Sequence, residues 1–134
     1  MKKFAMVFPG QGAQAVGMLA DLANEYPVVT ETFKQASEAL GYDLWNLVQQ
    51  GPAEELNKTW QTQPALLAAS VAIFRVWQEK YPQLQPSVMA GPSLGEYSAL
   101  VCAGVIDFKD AIKLVELRGK LMQQAVPEGT GAMY

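Results

Sequence analysis

One serine in this sequence stands between two glycines, at the junction of an apolar run and a helical one. The stretch reads Ser87-Val88-Met89-Ala90-Gly91-Pro92-Ser93-Leu94-Gly95-Glu96-Tyr97-Ser98-Ala99-Leu100. Gly91-x-Ser93-x-Gly95 has the spacing of a nucleophile elbow, a sharp strand-to-helix turn that pushes a serine hydroxyl out to where a carbonyl can reach it. Such a turn leaves no room for a side chain two residues before or after the serine, which explains both glycines. It also aims the first N–H groups of the following helix, that of Leu94 included, at any oxyanion that forms. The competing reading is an ordinary glycine-flanked turn with no chemistry.

Two other features bear on reactivity. Arg118 falls in the apolar stripe of a long helical segment (Ala111, Leu114, Val115, Leu121, Met122, Ala125), four residues from Leu114 and three or four from Leu121 and Met122. A guanidinium on a core-facing position is costly unless an anion pairs with it. Spacing alone leaves open whether that anion is a ligand or a structural carboxylate, or whether the arginine snorkels past its neighbours. The second feature is an absence. The 134 residues contain no histidine, so a Ser-His pair cannot be completed within them.

The elements that must position these residues follow from periodicity. Phe4 to Phe8 is a short continuous apolar run stopped by Pro9-Gly10, which reads as a buried parallel strand. The glycine-rich loop Pro9-Gly10-Gln11-Gly12-Ala13-Gln14 follows, and a helix is expected from near Gly17. Gly10-x-Gly12-x-x-Ala15 formally satisfies a permissive dinucleotide fingerprint, but no strand ending in an acidic residue appears some 20 residues on. The competing role for the loop is to present backbone N–H groups to a neighbouring site. Pro27 to Leu40 reads as an amphipathic helix stopped by Gly41, Asp43 opens a short helix, and Ala53 to Leu56 forms another turn or two. Thr62 is expected to cap a helix carrying Leu66, Leu67, Val71, Phe74, Trp77 and Tyr81, with Pro64 in its first turn. Gln63 could face a pocket, although on spacing alone it reads as solvated. After the elbow helix, Ala103-Gly104 closes the element and Asp107-x-x-Asp110 starts the helix of Arg118. Pro127 to Gly131 reads as a turn. The order is strand, loop, helices, strand, elbow, helix, helix: an α/β class with a parallel pair whose further strands must come from elsewhere.

Composition narrows the function. Half the residues are apolar and 17% are charged, enough for a core. A net charge of −3 with no basic block argues against nucleic acid or an anionic membrane as partner. The single Cys102 excludes an internal disulfide, and its run Leu100-Val101-Cys102-Ala103 makes it a small buried hydrophobe. The apolar start is too short for a signal peptide, so the expected compartment is the cytoplasm.

Three features then coincide in order: Phe8-Pro9-Gly10-Gln11-Gly12, Gly91-x-Ser93-Leu94-Gly95-Glu96 and Arg118. With Gly51-Pro52-Ala53-Glu54-Glu55-Leu56, Thr62-Gln63-Pro64-Ala65 and Pro127-Glu128-Gly129-Thr130-Gly131-Ala132-Met133, they closely resemble the malonyl-CoA:acyl carrier protein transacylase family of type II fatty-acid synthesis. The likeness covers about the first two-fifths of such an enzyme. It implies that residues 1–134 are the N-terminal part of an acyltransferase domain, in a hydrolase-like parallel-sheet large subdomain. The chain would end where a small ferredoxin-like subdomain begins. It also implies that Ser93 takes the malonyl group as an ester, that the backbone N–H groups of Gln11 and Leu94 form the oxyanion hole, and that Arg118 holds the malonyl carboxylate. Gln63 lies near that pocket in the family, and Met122, one turn beyond Arg118, is a further candidate for its wall. Neither a cofactor nor a metal is implied; thioesters of coenzyme A and phosphopantetheine are the substrates, the acyl carrier protein is the partner, and a complete enzyme would be monomeric. Two departures stand out. Pro92 replaces the histidine the family usually has before the serine, and the catalytic histidine has no counterpart in these residues. The alternatives are a non-catalytic remnant that binds acyl-CoA or a carrier protein, and a serine esterase or thioesterase, for which a buried cation has no use.

Overall fold

The computed structural model describes residues 4–125. Its elements run β1 (Ala5–Val7), α1 (Ala20–Glu25), α2 (Pro27–Leu40), α3 (Leu44–Gln50), α4 (Ala53–Leu56), α5 (Thr59–Lys80), β2 (Val88–Ala90), α6 (Leu94–Cys102) and α7 (Phe108–Ala125). This is the order read from the sequence. The turn expected at Pro127 to Gly131 lies outside the described residues.

The core is mainly helical. Helix α5 is apolar almost all round, as a helix enclosed by its neighbours must be. Its small residues Ala65, Ala68, Ala69 and Ala72 are buried and let other helices come close. Phe33 and Val29 from α2, Leu44 and Val48 from α3, Leu67 from α5, and Ile112 and Val115 from α7 are all fully buried in one cluster. A smaller cluster of Phe8, Phe74 and Ala99, with Met6, Met89 and Cys102 against it, ties the sheet to α5 and α6.

β1 and β2 pair in parallel, with Ala5 opposite Val88, Met6 opposite Met89 and Val7 opposite Ala90. The expectation of a strand buried on both sides is corrected. Met6 and Met89 pack inward, but Val7 and Val88 are 69% and 57% exposed, because the helices of the described residues cover one face only. Between β1, the glycine loop and α5 lies an apolar cavity of about 350 Å³ bordered by Met6, Phe8, Leu66, Phe74 and Trp77.

Helix boundaries show what local signals can and cannot fix. Asp43 accepts the Asn46 N–H at 3.0 Å and caps α3, and Gly41, at φ 84°, stops α2 as expected. Asp107 accepts the Asp110 N–H at 3.2 Å at the start of α7. Two expected starts move. α1 begins at Ala20, after Leu19 adopts φ 66°, not near Gly17. Thr62 is not a cap: α5 begins a turn earlier, at Thr59, with Pro64 inside it. The Thr62 hydroxyl is buried and donates to the Leu56 and Lys58 carbonyls, closing the bend from α4 into α5. Tyr81, placed in the apolar stripe of α5, instead follows its last turn and is 39% exposed.

Candidate active site

Ser93 immediately precedes α6 at φ 51°, ψ −116°, a backbone conformation that L-residues rarely adopt and that marks a strained turn. The glycines around it are there for space. A Cβ on Gly91 would lie 2.6 Å from the Gly95 carbonyl carbon, and one on Gly95 would strike the Phe8 carbonyl oxygen. The elbow is therefore wedged against the end of β1. Pro92 fits this geometry, since its carbonyl accepts the Gly95 N–H at 2.9 Å and the position needs no donor of its own. The Pro92 carbonyl also lies 3.3 Å from where a Cβ on Gly10 would sit, which brings the glycine loop alongside the elbow.

Gln11 and Leu94 thus sit on adjacent segments. The Leu94 N–H opens α6, where no intrahelical acceptor exists, and neither it nor the Gln11 N–H finds an acceptor among the described residues. The Leu94 side chain is buried in the helical core and fixes the elbow from below. Gln11 is anchored by its side chain, whose Nε2 donates to Thr59 Oγ1 at 3.2 Å.

Arg118 reaches this point from α7. Its Nη2 donates to Ser93 Oγ at 2.9 Å and its Nη1 to Gln63 Oε1 at 2.8 Å, while its guanidinium carbon lies 5.6 Å from the centre of the Tyr97 ring. Gln63 Nε2 in turn donates to Met122 Sδ at 3.3 Å. A thioether can only accept, so this contact turns the amide carbonyl towards the guanidinium. The structure brings Ser93, Arg118, Gln63 and Met122 together.

Two expectations about these residues change. Gln63 is not solvated; it is fully buried, since α5 starts early enough to turn position 63 under α7. Nor does Arg118 sit mid-core. It is half-buried at the edge of a stripe formed by Phe108, Ala111, Ile112, Val115 and Gly119, while Leu114, Leu121 and Ala125 are exposed. Gly119 causes the rotation. A Cβ there would lie 2.5 Å from the Trp60 Cα, so only glycine lets α7 settle on the first turn of α5. Arg118 then emerges beside that contact, towards the elbow. Its partners are neutral, and among the described residues no carboxylate lies within ion-pair distance of it.

Two site residues went unread in the sequence. Tyr97 lies four residues after Ser93, so a helix starting at the elbow sets it on the serine's side. Thr59 carried no local signal, because its partner Gln11 is 48 residues away. Cys102 is half-buried on the sheet side, and burial pushes its thiol up to about 12, with Arg75 opposing the shift. It packs against the Phe8, Phe74 and Ala99 cluster and is not among the residues gathered at Ser93. Among the described residues no group of three or more His, Cys, Asp or Glu side chains could hold a metal, and no helix is long and apolar enough to cross a membrane.

A strained serine on a strand-to-helix turn, with two N–H groups beside it that find no acceptor among the described residues and an arginine at its hydroxyl, has the geometry of a nucleophile elbow. The acyl transferase domain family matches residues 5–134, and the chain belongs to that family. It is 89% identical over all 134 residues to the malonyl CoA-acyl carrier protein transacylase of Haemophilus influenzae and 74% identical over 133 residues to that of Escherichia coli. The chain spans 43% of the length of each of these relatives. Among solved structures, an acyl carrier protein S-malonyltransferase from Vibrio cholerae matches 96% of the chain and 42% of its own length at 76% identity, with a TM-score of 0.92. A malonyl-transacylase solved in complex with its type II PKS acyl-carrier protein matches 96% of the chain and 41% of its own length at 79% identity, also at 0.92. These neighbours bear out the acyltransferase fold read from the sequence.

Proposed function

We propose that these residues carry the nucleophile and the carboxylate-binding half of a malonyl transfer site. In this reading Ser93 Oγ attacks the thioester carbonyl of malonyl-CoA. The C–S bond breaks, and the coenzyme A thiol leaves with the proton the serine gives up. The phosphopantetheine thiol of an acyl carrier protein then attacks the ester and returns a proton to Ser93. The Gln11 and Leu94 N–H groups would hold the oxyanion in both steps. Arg118 would grip the malonyl carboxylate through paired, charge-assisted hydrogen bonds, in a way lysine could not match. The 2.9 Å contact between Arg118 and Ser93 carries this reading: it puts a cation with neutral partners directly at the nucleophile, where the far end of a short acyl group on Ser93 would meet it. An acetyl group would leave that cation unpaired, and the resulting penalty provides specificity. A generic esterase has no use for it.

Ser93 Oγ is hydrogen-bonded to a donor, Arg118, the 134 residues contain no histidine, and among the described residues no proton-accepting side chain contacts Ser93 Oγ. A positioned base is worth about 10²–10⁴-fold. Malonyl-CoA should therefore label the chain slowly, giving one adduct by intact mass that maps to Ser93. The adduct should vanish in Ser93→Ala and fall sharply in Arg118→Ala. Equal malonyl and acetyl labelling would overturn the role of Arg118. A folded chain that never labels but binds malonyl-CoA would favour the second reading, a binding module without turnover, which the histidine-free composition supports.

A further inference from the structure

We propose that Tyr97 is a positioning residue for Arg118 and a determinant of selectivity for acyl groups that end in a carboxylate, an inference that rests on the acyl-transfer reading above. Arg118 is half-buried, and among the described residues its contacts are the Gln63 carbonyl, the Ser93 hydroxyl and the Tyr97 ring, all uncharged. A carboxylate in any of these places would hold the arginine equally firmly, but it would also neutralise it and compete with an incoming anion. An aromatic face attracts a cation through its quadrupole and uses none of its N–H donors. Arg118 has five such donors; Gln63 and Ser93 engage two, and the ring leaves the others for a ligand.

Acylation makes the ring matter more. Once Ser93 carries an ester, the acyl chain and its carboxylate take the space between Oγ and the guanidinium, and the Ser93 contact gives way. Gln63 and Tyr97 are then what keeps Arg118 aimed at the ester. Tyr97 suits this role because it shares a helix with the nucleophile, four residues on, and packs against the main core. The turn that places the hydroxyl therefore also places the ring, and the two cannot drift apart.

The test compares Tyr97→Phe, which keeps the aromatic face, with Tyr97→Leu, which keeps bulk without it, after circular dichroism confirms wild-type helicity in both. The Arg118 Nε–Hε resonance, assigned through its loss in Arg118→Lys, should be shifted upfield by the ring in wild type and Tyr97→Phe. In Tyr97→Leu it should return to the range of a solvated arginine. Coincident resonances in wild type and Tyr97→Leu would overturn the positioning role whether or not the chain labels. For selectivity, the ratio of malonyl to acetyl labelling at Ser93 should drop about two- to fivefold in Tyr97→Leu and stay within about twofold in Tyr97→Phe. An unchanged ratio in Tyr97→Leu, or both rates falling alike as a merely structural loss would cause, would overturn it. A wild-type chain that labels with both thioesters alike counts against the carboxylate-binding role of Arg118, and one that labels with neither counts against the acyl-transfer reading; in both cases the resonance comparison still decides the positioning role of Tyr97.

Discussion

At the scale of single residues, the groups around Arg118 leave its charge uncancelled. Gln63 is fully buried, and both ends of its amide are used, the carbonyl on Arg118 and the amine on the Met122 sulfur. It holds the guanidinium without cancelling it. Gln63→Glu keeps the shape but adds an anion that would pair with Arg118. Hydrogen bonds to charged groups are worth about 1.5–3 kcal/mol net, so malonyl labelling of Ser93 should fall by about tenfold or more while acetyl labelling changes little. A time course with each thioester, read by intact mass, checks this. The identities of Ser93 and Arg118 were legible in sequence from their types and spacing. The neutrality of the cradle around them was not, because Gln63 and Arg118 lie 55 positions apart and no local pattern links them.

At the scale of elements, the decisive contact is between α5 and α7. Gly119 sits on the backbone of Thr59 and Trp60, so that one missing side chain sets both the distance and the rotation of α7. Gly119→Ala would push the helices apart. Overpacking of this kind typically costs about 1–3 kcal/mol, which urea denaturation should register. The same displacement would carry Arg118 away from Ser93, so malonyl labelling should fall more than acetyl labelling. Helix existence and most helix ends were readable from caps and apolar spacing, as at Asp43, Gly41 and Asp107. The rotation of α7 was not. By period alone Leu114 and Leu121 read as core residues, with Arg118 between them. The apolar period fixes that a helix has a buried side, but the packing partner chooses which of two overlapping stripes is buried.

At the scale of the whole molecule, two half-buried ionisable groups set how stability responds to alkali. Burial pushes the Cys102 thiol up to about 12, against about 8.5 for an unfolded cysteine. Burial, with Glu116 and Glu55 nearby, also raises the Tyr42 hydroxyl well above its ordinary value, and among the described residues that hydroxyl has no hydrogen-bond partner. Both groups keep their protons longer in the folded state than in the unfolded one. Stability should therefore be intact below about pH 8.5 and fall as pH rises towards about 12. Urea midpoints measured between pH 8 and 11 should decline in wild type. They should stay flat to about pH 10 in Cys102→Ala, where only the Tyr42 contribution, which begins near the ordinary tyrosine value, remains. A wild-type profile as flat as that of the variant would contradict the burial of this thiol.

The sequence by itself determined the order of elements, the parallel pairing of the two strands, the elbow with its glycines, and the serine and arginine proposed to carry the chemistry. These rest on interactions spanning a few residues: caps, tight turns, and apolar periods of two or 3.6. Tertiary structure decided that Thr62 lies inside a helix, that Gln63 is buried, that one sheet face is open, and that Arg118 emerges half-exposed at Ser93 with Tyr97 and Gln63 around it. The burial of Gln63 and the place of Arg118 depend on how closely α7 approaches α5 and on which way it faces, the start of α5 on its bend from α4, and the open sheet face on which helices cover the strands; these are settled by packing between elements and not by local pattern.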